Sequence, residues 1–201
     1  MPEEASLQAA LRELDSGRLV VIPTDTVYGL AARPDDPAAV EAVFAAKGRP
    51  LDKPLPILGA SLADLEAVAM LGDAGRRVAH RWPGPLTLVV PRAPGFDHDL
   101  GGRGSQGVAI RVPACEIALE LLRFSGPLAV TSANLSGRPP ATTIAQARDA
   151  LGHLVQVFVD GGPRSGRSST VVSLLAGPEL LRAGPIPFKQ LLQELGEGSL
   201  G

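Results

Sequence analysis

Four short segments concentrate the groups that could do chemistry in this 201-residue chain. Pro23-Thr24-Asp25-Thr26-Val27-Tyr28-Gly29-Leu30 follows an apolar run at 19–22, so hydroxyls, a carboxyl and a phenol arrive at the end of a buried strand. Lys47-Gly48-Arg49-Pro50-Leu51-Asp52-Lys53-Pro54 carries three cations within seven residues, just past a helical stretch. Cations there complement a helix dipole. They can also converge on phosphates, because Gly48 and two prolines stiffen the loop, Lys47 and Lys53 offer point charges and Arg49 a bidentate fork. Thr131-Ser132-Ala133-Asn134-Leu135-Ser136-Gly137-Arg138 leaves a third apolar strand with hydroxyls, an amide and a cation. Gly161-Gly162-Pro163-Arg164-Ser165-Gly166-Arg167-Ser168-Ser169-Thr170 is a fourth, glycine-rich loop. Strand ends beside fixed cations are how an α/β protein builds a pocket for a small anion. The same loops also fit a plainer role, with hydroxyls closing turns onto their own backbone.

Other chemistries lack their parts. Ser132 has no Gly-x-Ser-x-Gly elbow around it and no histidine near it in the chain, which argues against a covalent nucleophile. The 161–170 loop does not fit Gly-x-x-x-x-Gly-Lys-Ser/Thr, so it is not read as a P-loop. His80, His98 and His153 are scattered without metal-ligand spacing, and Asp97-His98-Asp99 reads as a solvated loop. No metal site is expected. The single cysteine, Cys115, excludes an internal disulfide and reads as a small core residue. Arg111 and Arg182 each interrupt a strand pattern, and such a charge faces either solvent or a polar cavity.

The elements that must position these residues alternate along the chain. Strands are expected at 19–23, 27–32, 55–58, 86–91, 107–112, 128–131, 155–159, 170–175 and 179–182. Helices are expected from Ser6, as a candidate N-cap, to Gly17, and from Asp36-Pro37 to Lys47. Further helices are expected after a Ser61/Asp64 cap and at 74–81, 115–124, 143–151 and 187–195. Trp82-Pro83-Gly84-Pro85 reads as a rigid turn feeding the strand at 86–91. This alternation predicts an α/β chain (α+β in strict classifications), a three-layer single domain over 5–195 with a twisted mixed sheet around a concave basic cavity. Residues 196–201 are expected to be a flexible tail.

Composition narrows the function. Hydrophobic residues make up 45% of the chain but aromatics only 3%, so the core must be aliphatic. A formal net charge of −2 is no basic coat for nucleic acid. No apolar run approaches the ~20 residues of a membrane span, and the N-terminal segment is acidic and amphipathic rather than a signal peptide. The cytoplasm is the expected location.

Seven segments in order resemble the YrdC-like threonylcarbamoyl-adenylate synthases. They are the stretch at 23–30, Lys-x-Arg-Pro at 47–50, Trp-Pro-Gly-Pro-Leu-Thr at 82–87 and Val-Ala-Ile-Arg-Val-Pro at 108–113. Thr-Ser-Ala-Asn-Leu-Ser-Gly at 131–137, Ser-Thr-Val-Val at 169–172 and Leu-Arg-Ala-Gly at 181–184 complete the set. The length is similar to the family's short form. The resemblance implies that L-threonine, bicarbonate and ATP give threonylcarbamoyl-AMP and pyrophosphate. A separate transferase would then use the product to modify the adenosine beside the anticodon of certain tRNAs. It implies Lys47, Arg49, Ser132, Asn134 and Arg182 for ATP, and Thr24, Arg111 and Thr170 for threonine, with Arg111 on its carboxylate. Tyr28, Lys53 and Arg138 are additional candidates. Mg2+ is implied with the triphosphate, held by phosphate oxygens and water. Amine attack on bicarbonate and carbamate attack on the α-phosphate need positioning and fixed charge, not a protein nucleophile. Some relatives carry a histidine in the strand after Lys-x-Arg where this chain has Leu-Pro-Ile-Leu at 55–58, and relatives commonly have Ser or Thr where it has Pro140. The competing reading is a YrdC-like paralogue without synthase activity that binds RNA, weakly given so few stacking aromatics.

Overall fold

In the computed structural model, which describes residues 2–102 and 104–196, strands and helices alternate almost as the hydrophobic pattern dictates. The chain runs α1 (Pro2–Asp15), β1 (Val20–Pro23), β2 (Tyr28–Ala32), α2 (Pro37–Lys47), β3 (Ile57–Leu58), α3 (Leu62–Glu66), α4 (Gly72–Val78) and β4 (Leu86–Pro91). It continues through β5 (Gly107–Arg111), α5 (Glu116–Ser125), β6 (Leu128–Ser132), α6 (Ile144–Leu151), β7 (Val157–Phe158), β8 (Thr170–Ser173), β9 (Glu179–Arg182) and α7 (Phe188–Leu195).

Local chemistry sets most boundaries. Asp36 Oδ1 accepts from the amides of Ala38 and Ala39, Pro37 takes the first turn, and Gly48 closes α2 in the left-handed region at φ 57°. The Ser61/Asp64 and Thr143/Gln146 boxes are both closed at α3 and α6. Several expectations shift: the strand expected at 155–159 shrinks to Val157–Phe158, and that expected at 170–175 ends at Ser173. Ser6 lies inside α1, which opens at Pro2, so Ser6 is no cap and the fold begins before residue 5. The strand at 55–58 shrinks to Ile57–Leu58, since Pro54 and Pro56 have no N–H to give a ladder. Gly196 caps α7 at φ 87°, and the rest of the expected tail, 197–201, lies outside the described residues.

The strands form one mixed sheet in the order β7-β1-β2-β6-β3-β5-β4-β8-β9. β1/β7, β3/β5 and β4/β8 are parallel, and the other neighbours are antiparallel. One face buries Leu30, Ile57, Leu86, Leu88, Ile110 and Val172 against α2, α4, α6 and α7. On the other face Leu7, Ala10 and Leu14 of α1 and Ala118, Leu121 and Leu122 of α5 pack on Val20, Ile22, Leu128 and Val130. Fully burying one such aliphatic side chain stabilises by roughly 1.5–3 kcal/mol. The second helical layer reaches only across the β7-β1-β2-β6-β3 half. Beyond it no helix among the described residues covers the same face of β5, β4 and β8, and there the sheet opens into a cavity.

Candidate active site: an arginine-lined cavity on the uncovered half of the sheet

Strand alternation decides what faces that cavity. In β4 and β5, Leu86, Leu88, Val90, Val108 and Ile110 point into the core, so Thr87, Val89, Ala109 and Arg111 point the other way. Gly29, Leu58, Val130 and Val171 extend this floor, and the walls carry Thr24, Thr26, Arg49, Thr131, Ser132, Ser168, Ser169 and Arg182. The volume is about 300 Å³, within the range of small-molecule sites. Among the described residues three guanidinium groups line it and no carboxylate does.

Each arginine is held differently. Arg111 donates through Nε to the Gly84 carbonyl (2.9 Å), through Nη1 to Thr26 Oγ1 (3.0 Å) and through Nη2 to Asp25 Oδ1 (2.5 Å). Three of its five N–H groups are thus used and two are left for a ligand. Gly84 belongs to the rigid turn at 82–85, whose amide donates to the Val112 carbonyl, so this turn braces Arg111. Arg49 donates to the carbonyls of Lys53 (2.8 Å) and Pro54 (3.0 Å) and to Thr131 Oγ1 (3.3 Å). Arg182, paired across from Val171, donates to the carbonyl and hydroxyl of Ser169, both at 3.0 Å. Ser169 Oγ in turn lies 2.7 Å from Thr87 Oγ1. Burial lowers all three guanidinium pKa values, and the positive charge of Arg182 adds to the effect at Arg49 and Arg111. Such groups stay charged at any physiological pH. Among the described residues Arg111 is the one arginine of the lining in a close ion pair, whereas Asp52 offsets Arg49 only through its field, so Arg49 and Arg182 leave positive charge facing the hollow.

Of the eight residues implied for substrate, Arg49, Ser132, Arg182, Thr24 and Arg111 line the cavity. Thr24 also closes its own turn, donating from Oγ1 to the Val27 carbonyl (2.7 Å) and accepting from the amides of Thr26 and Val27. Lys47 sits one layer beneath. Its ammonium donates to the carbonyls of Ser132 and Asn134 (the latter at 2.5 Å) and to Asn134 Oδ1 (3.3 Å), and it is 3% exposed. Burial, helped by the charge of Arg49, lowers its pKa to about 8. Asn134 spends its amide on the carbonyls of Leu135 and Arg138, holding the 134–138 turn.

Thr170 departs from its implied place. It pairs with Leu86 and shares the face of Val172, so it points into the core, fully buried, with Oγ1 bonded to the amide (3.0 Å) and carbonyl (2.8 Å) of Ile186. Its neighbour Ser169 faces the cavity instead. The additional candidates also lie off the lining. Tyr28 has a buried ring and a hydroxyl turned to Asp160, Gly161 and Gly162, with its pKa raised by burial. Lys53 and Arg138 are exposed and contribute backbone carbonyls. Thr26, Thr87, Thr131, Ser168 and Ser169 are not among the implied substrate residues, although alternation from Leu86 and Leu88 points to Thr87 and alternation from Val172 to Ser169.

Comparison with known proteins identifies the family and the fold. The family model described as telomere recombination, Sua5/YciO/YrdC, matches residues 12–184. A Mycobacterium leprae protein is 44% identical over 194 residues, covering 94% of this chain and 88% of that one. The threonylcarbamoyl-AMP synthase of Pyrococcus abyssi is 41% identical, over 97% of this chain and 58% of its own length. The crystal structure of P. abyssi Sua5 complexed with L-threonine superposes with a TM-score of 0.90 at 40% identity, covering 97% of this chain and 58% of that one. The chain belongs to the Sua5/YciO/YrdC family.

Proposed function

We propose that this chain is a threonylcarbamoyl-AMP synthase that condenses L-threonine, bicarbonate and ATP. The observation that carries the reading is the cavity itself: among the described residues it is lined by three arginines, a band of hydroxyls and an aliphatic floor, with no acidic side chain. Such a hollow fits a polyanion beside a small amino acid. It does not fit a duplex backbone, which favours the synthase over an RNA-binding paralogue.

The threonine amine attacks the bicarbonate carbon, water leaves, and a carbamate forms. A carbamate oxygen then attacks the α-phosphorus, a new P–O bond forms, and the bond to the β-phosphate oxygen breaks to release pyrophosphate. Arg111 receives the threonine carboxylate on its two remaining N–H groups, with Thr24 and Thr26 beside it. Arg49 and Arg182 take the triphosphate from opposite walls, and Ser132 adds a hydroxyl. Lys47, with its ammonium under the 132–134 turn, supports that wall and lends its charge. Positioning and fixed charge supply the rate, since no step calls for a protein nucleophile. Mg2+ enters as part of MgATP. Among the described residues the lining offers hydroxyls but no carboxylate, which would suit an ion carried by phosphate oxygens and water.

The adenylate is unstable toward water and fits immediate use by a tRNA-modifying transferase in the cytoplasm. Among the described residues no helix is long and apolar enough to cross a membrane. Purified protein with ATP, labelled bicarbonate and L-threonine tests the proposal. Threonine-dependent pyrophosphate release with label in an adenylate supports it. ATP consumption that ignores threonine, or duplex RNA binding in place of turnover, refutes it.

A further inference from the structure

The loop at 160–168 contributes Ser168 to the lining and otherwise lies along the backbone of the Thr24–Thr26 turn. Arg164 is its centre. Its guanidinium donates through Nε to the Gly162 carbonyl (3.0 Å), through Nη2 to the Gly161 carbonyl and through Nη1 to the Thr24 carbonyl (3.3 Å). The Arg164 amide donates to the Thr142 carbonyl (2.8 Å), Ser165 Oγ reaches the carbonyls of Asp25 and Thr26, and the Gly166 amide donates to Thr26 O (3.0 Å). The far end is anchored too, by Tyr28 Oη donating to Gly162 O and accepting from the Gly161 amide. All three carbonyls of the turn 24–26 are therefore occupied from outside the cavity. The opposite side of the same turn presents Thr24, Thr26 and, through Asp25, the fixed Arg111.

We propose that Arg164 is a positioning residue for the threonine half of the site, a staple that sets the turn 24–26 against Arg111. This rests on the synthase reading above. Arg164 spreads its three carbonyl contacts over the planar fork of the guanidinium, a reach and geometry that the compact ammonium of lysine does not match. Losing a charge-assisted bond of this kind lets the turn move, and the group that depends on its exact placement is threonine, not the triphosphate on the Arg49 and Arg182 walls.

The test compares wild type with Arg164→Met and Arg164→Lys in pyrophosphate release, varying threonine and ATP separately, alongside amide hydrogen exchange at 24–28. Arg164→Met is expected to raise KM for threonine about tenfold or more while KM for ATP stays within about twofold. Arg164→Lys should fall between the two. The Thr26 and Val27 amides, which donate to Thr24 Oγ1, should lose protection in the same order. Equal rises in both KM values, or an unchanged threonine KM in an active enzyme, overturn the proposal. If wild type itself shows no threonine-dependent release, the synthase reading fails. The staple is then judged on exchange alone, where unchanged protection in both variants overturns it.

Discussion

Replacing Arg111 tests whether the central cation is built into the fold or merely aimed at a ligand. Arg111 and Asp25 meet at 2.5 Å with side chains 7% and 15% exposed, and Asp25 Oδ1 also accepts from the Ala114 amide at 3.0 Å. Arg111→Met leaves that carboxylate shielded from water with one backbone N–H, a situation that costs about 3–5 kcal/mol. At about 2–4 °C per kcal/mol for a chain of this size, the thermal midpoint should fall by roughly 6–20 °C. Asp25→Asn keeps an acceptor but loses charge assistance, at about 1–3 kcal/mol. In Arg111→Met/Asp25→Asn neither charge is stranded, so the double variant should be more stable than the sum of the singles by about 1–3 kcal/mol. Urea and thermal unfolding of the four proteins measure this cycle. A midpoint loss under about 2 °C for Arg111→Met, or strict additivity in the double variant, would refute the claim that the pair is structurally coupled. The double variant is then the proper one for kinetics: it should lose threonine affinity while keeping KM for ATP near wild type.

Three further outcomes follow from the same geometry. With a pKa of about 8 against an ordinary 10.5, Lys47 carries its full burial cost below pH 8. As pH rises from 8 toward 10.5, the folded state loses that proton first, so wild type should gain about 3 kcal/mol relative to Lys47→Met. Parallel stability–pH curves for the two proteins would contradict it. A Cβ at Gly184 would lie 2.2 Å from the Thr170 amide and 2.5 Å from the Ser169 carbonyl carbon. Gly184→Ala must therefore part backbone from backbone beside Arg182, costing about 1–3 kcal/mol or more and raising KM for ATP, as unfolding and initial-rate assays will show. Asp36→Ala removes only the cap of α2, so chemical denaturation should report a loss of about 1 kcal/mol with pyrophosphate release unchanged.

Much of the fold could be read directly, because the signals are local. Asp36-Pro37 with Gly48, the Ser61/Asp64 pair and the aliphatic runs of β4 and β6 each state their own element. The misreadings are also local in origin. Ser6 looked like a cap but lies one turn inside a helix that begins at Pro2, and the prolines at 54 and 56 cut β3 short. The site was legible as a set of loops, and five of the eight implied substrate residues share one lining. For Thr170, motif membership does not say which way the side chain points, whereas its pairing with Leu86 does.

By itself, the sequence determined the period of every long element, the aliphatic character of the core and the clustering of cations and hydroxyls at strand ends. Those properties depend on neighbours a few residues away, within reach of backbone hydrogen bonds and helical or strand repeats. That α1 and α5 stop short of β5, β4 and β8, which leaves the cavity open, follows from the order of the strands in the sheet. Only the tertiary structure brought Asp25 to Arg111, 86 positions apart, and Lys47 to the 132–134 turn. Contacts of that span are set by sheet order and register, and the choice between burying a cation under a wall and presenting it to a ligand is made there.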